Sequence, residues 1–193
     1  MRWFLGIAIG ILAAVVLYLG TAAYALSELA SAARAGDGAK VLERTDVKAL
    51  NHSLTDQIVR AYMERLGSKR PISPMEKTMI NVYGSTVADA MVAKMLTAER
   101  LTQLLKTGKV EGAGELPALS GLPALADLDT GLSVFGRLRF IQPVLLGVRV
   151  SNSPAPDDYA AINLHFEDFG WKLAGIELPK ATVRALAANL PVK

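Results

Sequence analysis

Cysteine is missing from this chain of 193 residues, and histidine and aromatic residues are scarce, with two of the former and 6% of the latter. Without thiols there is no disulfide framework and no thiolate zinc site. The two histidines, His52 and His165, have no metal-ligand partner at motif spacing, so no metal is expected. No G-x-S-x-G elbow, P-loop, Rossmann glycine run or H-E-x-x-H occurs. Activated nucleophiles, phosphate cradles and hydrolytic zinc therefore lack a foothold, and no cofactor is expected. Charge of one sign is not in excess either: 21 Lys and Arg face 18 Asp and Glu, a net charge of +3. The pI near 9.2 arises from scattered basic residues, which is no nucleic-acid footprint.

What is present is a long uncharged opening. Trp3 to Leu26 carry no charge, whereas every acidic residue and every basic one except Arg2 lies beyond it. As a helix this run rises about 36 Å, more than the roughly 30 Å hydrocarbon thickness of a bilayer. Trp3 at one end and Tyr18 and Tyr24 toward the other suit the headgroup levels. The run reads as a transmembrane anchor. A cleaved secretory signal is the competing reading, since Arg2 opens it and Ala23-Tyr24-Ala25 fits a small-x-small cleavage site. Gly6, Gly10 and Ala14 repeat at four-residue spacing and offer a homodimer seam within the membrane.

Residues 27 to 107 read as a helical half. The stripe Leu26, Leu29, Ala30, Ala33 ends at Gly36-Asp37-Gly38, and a short helix covers Ala39 to Arg44. Asp46 caps a longer helix with Val47, Leu50, Leu54, Ile58, Tyr62 and Leu66 on one side and Lys48, His52, Asp56, Arg60 and Glu64 on the other. Ser73, Pro74 and Glu76 form a capping-box start for a helix to about Met95. Its expected buried stripe is Met75, Met79, Val82, Tyr83, Val87, Ala90 and Met91, opposite Lys77, Asn81, Ser85 and Asp89. Thr97 caps a further short helix to Gly108.

Residues 108 to 131, rich in Gly, Pro and Ala and twice containing Leu-Pro-Ala-Leu, read as a linker whose leucines dock on the domain. Strands follow at 133–140, 144–151, 159–167 and 171–178, with a hairpin at Asp168-Phe169-Gly170 and a bulge at Gly175. A helix over 181–190 closes the chain. Helices then antiparallel strands mean α+β, with residues 132–193 packed onto 27–107 as one domain and a cone-shaped arrangement of the cystatin or nuclear-transport-factor kind in view.

Several spacings carry a resemblance: Tyr24-Ala-Leu; Leu29-x-x-Ala-Ala-Arg-Ala-Gly-Asp37; Asp46-x-x-Ala49-Leu50-x-x-Ser53-Leu54-x-x-Gln57; Leu96-Thr-Ala-Glu-Arg-Leu-x-x-Leu-Leu-x-x-Gly108; and Phe166-Glu-Asp-Phe-Gly-Trp-Lys-Leu-x-x-Ile-Glu-Leu-Pro179. In these the chain resembles a bacterial family of membrane-anchored domains of unknown function, numbered 2939. The resemblance implies the anchored α+β arrangement and no activity.

Catalytic pairs find little support. His52 and Asp56 stand one helical turn apart, as surface pairs do. Asp127/Asp129, Asp157/Asp158 and Glu167/Asp168 fall in turns or the linker, where solvated carboxylates belong. Five of six methionines, Met63, Met75, Met79, Met91 and Met95, sit in two adjacent helices, where thioethers fill irregular cores. With a curled sheet, Met79, Tyr83, Met91, Phe140 and Trp171 would line a pocket for an apolar ligand such as a lipid. The expected function is a noncatalytic module at the bacterial inner membrane, domain in the periplasm, that interacts with a protein or another envelope component.

Overall fold

The computed structural model describes residues 2–107, 136–151, 155 and 159–188. The linker with its Leu-Pro-Ala-Leu copies, Asp127/Asp129 and Asp157/Asp158 lie outside them.

The opening run forms α1 (Arg2–Arg34), a single helix with no break between the apolar run and the stripe that follows it. Its first half stands clear of the domain, with Trp3 87% and Leu17 72% exposed. From Tyr18 onward one face turns inward, and Ala22, Ala25, Leu26, Leu29, Ala32 and Ala33 are buried. The division at residue 26 therefore does not hold in space, because the last turns of the apolar run belong to the domain core.

Gly36, at φ +64°, ends α1 in the left-handed region that suits glycine. Asp37 caps α2 (Gly38–Glu43) by accepting from the Lys40 N–H. Asp46 caps α3 (Val47–Gly67) through the Ala49 N–H. The charged side of α3 is exposed as expected, while the inward side is broader than the read stripe: Thr55, Val59 and Ala61 join Leu50 and Ile58. Val47 is not inward but 40% exposed. The buried Thr55 hydroxyl donates to Asp89 Oδ1 at 2.6 Å.

The Ser73 capping box opens α4 (Pro74–Met79), with both reciprocal bonds formed. The single helix expected to Met95 is instead interrupted by a π-helical segment, Ile80–Gly84, before α5 (Ser85–Met95). A π segment changes the angular step and rotates the following face relative to the preceding one. The expected stripe does not pack, before the π segment as well as after it. Met75 is 76%, Met79 50%, Val82 60%, Tyr83 67% and Val87 43% exposed. Ala90 is exposed too. The inward residues are Ala88 and Val92, with Ile80, Met91 and Met95 beside them. Next comes α6 (Ala98–Thr107), started by Thr97.

The strands are β1 (Leu138–Gln142), β2 (Leu145–Arg149), β3 (Ala161–Glu167) and β4 (Gly170–Glu177), an antiparallel meander in sequential order. Directly paired residues share a face, and Phe140, Leu146, Leu164 and Leu173 form one row. The pairing shifts between Asn163/Gly175 and Leu164/Leu173, which puts the bulge expected at Gly175 on β4. A Cβ at Gly175 would lie 3.0 Å from Ser53 Oγ, so the bulge lets α3 come close. The outer edge of β4 is covered at one point: Leu173 donates to the Arg44 carbonyl at 2.8 Å and accepts from the Asp46 N–H at 2.9 Å. Finally α7 (Lys180–Ala188) packs on α3 with Val183, Leu186 and Ala187.

The architecture is α+β. One cluster joins α1, α2 and the start of α3 to the sheet, and a second joins α3, α5, α6 and α7.

Candidate functional site

Three surfaces and one cavity hold the features that could do something. The first is the junction where α1 leaves the domain. Tyr18, Phe166 and Trp171 form a ring cluster with centroids 5.0 to 5.7 Å apart. Trp171 is buried and donates from Nε1 to Thr21 Oγ1 at 3.1 Å. The Tyr18 hydroxyl donates to the Pro143 carbonyl. Tyr18 and Trp171, rings with one polar group each, suit such a boundary between apolar and polar surroundings.

The second surface is the uncovered face of α4, the π segment and α5. A shallow groove there is lined by Val59, Tyr62, Met79, Ile80, Tyr83 and Val87. Apolar side chains exposed together on one helix, beside a π segment, mark sites of interaction more often than side chains exposed singly.

The third is polar. Ser53, Asp56, Gln57, Arg60, Tyr159, Asn163, Glu177 and Arg184 line an open cleft between α3, β4 and α7. Gln57 bridges the wall, donating to the Ile176 carbonyl at 2.7 Å and accepting from the Leu178 N–H at 3.0 Å. Arg139 donates to the Tyr159 hydroxyl at 2.7 Å, and Asn163 to Glu177 at 3.3 Å. The two contacts of Gln57 hold the end of β4 to α3.

A cavity of about 100 Å³ lies between the two core clusters, walled by residues that include Leu29, Leu54, Ile58, Met95, Leu101 and Ile176. Thr45 is its one polar lining residue.

The residues expected to form an apolar pocket are not gathered. Met79 and Tyr83 share the shallow groove. Met91 packs against the second core cluster. Trp171 is buried against Tyr18 and Phe166, and Phe140 is 67% exposed on β1. The one enclosed space described above lies elsewhere and takes only Met95 from the methionine set. Gly6, Gly10 and Ala14 lie on the exposed part of α1, with open space around both glycines.

His52 and Asp56 pair at 3.5 Å on the surface of α3, at 77% and 52% side-chain exposure. His165 does acquire neighbours that spacing hid: Asp46 and Glu167 present ligand-type atoms within 4.8 Å of it and of one another. The contact of Leu173 with residues 44 and 46 brings Asp46 there. Asp46 already caps α3, and Lys172 stands directly across the strand pair from His165, a cation that opposes another cation. The carboxyls with a resolved shift are held low by structural partners. Asp37 accepts the Lys40 backbone N–H, and Glu76 accepts from Arg70 and then from the Ser73 N–H.

An α+β domain built directly onto a long apolar helix is the class that this geometry defines. Residues 11–104 match the model of the family described as Protein of unknown function (DUF2939), and this stretch of the chain belongs to that family. The matched residues run from the first third of α1 into α6, so the strand motif from Phe166 to Pro179 lies beyond them. No curated protein and no solved structure matches the chain significantly.

Proposed function

We propose that this protein is a noncatalytic, membrane-anchored module of the bacterial inner membrane, with its domain in the periplasm, that acts by binding a protein of the envelope through the α4–α5 face. The observation that carries the reading is the exposure of Met75, Met79, Val82, Tyr83 and Val87 along α4, the π segment and the start of α5. Such a stripe is ordinarily buried, and among the described residues nothing covers it. Support for the anchor comes from α1, which holds an 18-residue window of mean hydropathy 2.3 with none of its residues buried.

The test is a photo-crosslinking residue at Val82 of the full chain in its native membrane. The expected result is a discrete protein adduct that disappears with Met79→Glu and Tyr83→Glu. Adducts with lipid alone, or none, would reject the reading.

The cavity between the core clusters favours a second reading, the binding of an apolar molecule. Its lining suits that role, since dry apolar cavities take up apolar guests. Its volume of about 100 Å³ is against it, because ligand pockets hold roughly 300–1,000 Å³. Native mass spectrometry of the detergent-solubilised chain decides. A stoichiometric apolar guest, lost when Val92→Phe fills the space, would establish the second reading.

A further inference from the structure

The apolar run is long enough to cross a bilayer only if its last turns are counted, and those turns lie in the domain. The 18-residue apolar stretch of α1 without a buried residue, Trp3 to Gly20, rises about 27 Å, roughly 3 Å short of the hydrocarbon thickness, and its last turn already touches the domain through Tyr18. Tilting the helix enlarges the deficit. A domain held away from the membrane surface would therefore leave the span too short.

The end of the sheet beside this exit is apolar. The β1–β2 and β3–β4 hairpins lie at the same end, since Phe166 N donates to the Val144 carbonyl at 2.9 Å. Tyr18 touches both hairpins, through Pro143 and through Phe166 and Trp171. Around this point Phe140 is 67% and Val144 42% exposed, and Phe169 is 100% exposed at the β3–β4 tip.

Phe169 is also strained. It and Asp168 occupy the tip at φ +62° and +50°, the left-handed region where a two-residue hairpin favours Asn-Gly. A bulky side chain held there, fully in water, carries two costs for which the fold gives no return.

From these observations we propose that the two hairpin tips form a collar that docks into the bilayer interface around α1, with Phe169 as its leading side chain and Phe140 and Val144 beside it. The collar carries the domain down onto the membrane and makes up the length that α1 lacks. Asp168, ion-paired with Lys172 at 3.5 Å, stays at headgroup depth. The proposal rests on the reading of α1 as a membrane span.

The absence of cysteine makes single-site spin labelling of the full chain direct. Phe169→Cys and Val144→Cys are labelled in phosphatidylcholine/phosphatidylglycerol vesicles, with Ile11→Cys reporting the span and Lys69→Cys the aqueous side. The expected result is a ratio of oxygen to nickel-chelate collisions at 169 and 144 several-fold above that at 69 and below that at 11. Aqueous ratios at 169 and 144 with Ile11→Cys in the acyl core overturn the collar and leave the span intact. Protection of position 169 from both relaxants means a protein contact and overturns it as well. An aqueous ratio at position 11 removes span and collar together.

Discussion

Tyr18 and Trp171 meet with ring centroids 5.0 Å apart and planes tilted by 59°, joining the apolar helix to the first residues of β4 across 153 positions of sequence. The contact sits on a core residue, since Trp171 is only 3% exposed. Trp171→Ala should cost about 3–5 kcal/mol, the range for deleting a large buried ring. A cycle of Tyr18→Leu and Trp171→Leu should give a coupling of roughly 0.5–1.5 kcal/mol. Denaturant titration of the full chain in micelles measures both, and strictly additive effects would show that the rings do not couple helix and sheet.

Gly38 marks the closest approach of α2 to α6. A Cβ there would lie 2.3 Å from the Ala98 carbonyl and 2.5 Å from the Thr102 nitrogen, both backbone atoms that cannot swing aside. Gly38→Ala should therefore destabilise by about 1–3 kcal/mol through overpacking. Gly84→Ala meets Ile80 Cγ2 at 3.6 Å and Val59 Cγ2 at 3.9 Å, both ordinary contacts, and should be tolerated. Equal thermal midpoints for the two variants would contradict the close packing of α2 on α6.

The α4 start should respond to acid. The Arg70 guanidinium, and then the Ser73 N–H, hold the Glu76 carboxyl below its ordinary range. A carboxyl whose value is lowered in the folded state binds protons more readily when unfolded. Its contribution is thus complete above the ordinary Glu value of about 4.3 and fades as pH falls through the lowered folded value. Protection factors at the first α4 amides, which remove the intrinsic pH dependence of exchange, should fall on acidification across that window, and Glu76→Gln should remove that fall. A pH-independent wild type would overturn this.

Phe169→Gly isolates the strain at the hairpin tip. Glycine adopts positive φ without a Cβ penalty, so thermal stability in detergent should be unchanged or higher by roughly 1 kcal/mol. A marked loss of stability would mean that the Phe169 side chain serves the fold itself.

Much of the fold is legible in the sequence because its signals are local. Ser73, Pro74 and Glu76 announce a helix start within four residues, and Asp46 does the same for α3. The alternation of Ile162 and Leu164 with Asn163 and His165 gives the strand and its inward face. The lost elements depend on more than one segment. The periodicity of Met75, Met79 and Tyr83 is a true amphipathic stripe, but a stripe states only that a face is apolar, not what meets it. The π segment at Ile80–Gly84 left no composition signal that set it apart from ordinary helix. Asp46 beside His165 is invisible because 119 positions separate them and only the docking of residues 44–46 on β4 brings them together. Lipid and protein interior ask for the same side chains, so hydropathy did not reveal that the last turns of the apolar run belong to the domain core.

No joint separates α1 from the domain that it carries. A helix without a break resists bending, so whatever sets the lean of the span sets the lean of the domain, and a rotation of one is a rotation of the other. The α4–α5 face is thereby presented at one height and one bearing, as a pennant is by a stiff mast. A partner of the kind proposed above would have to come to that level, because the break-free helix gives the domain no slack with which to reach out for it.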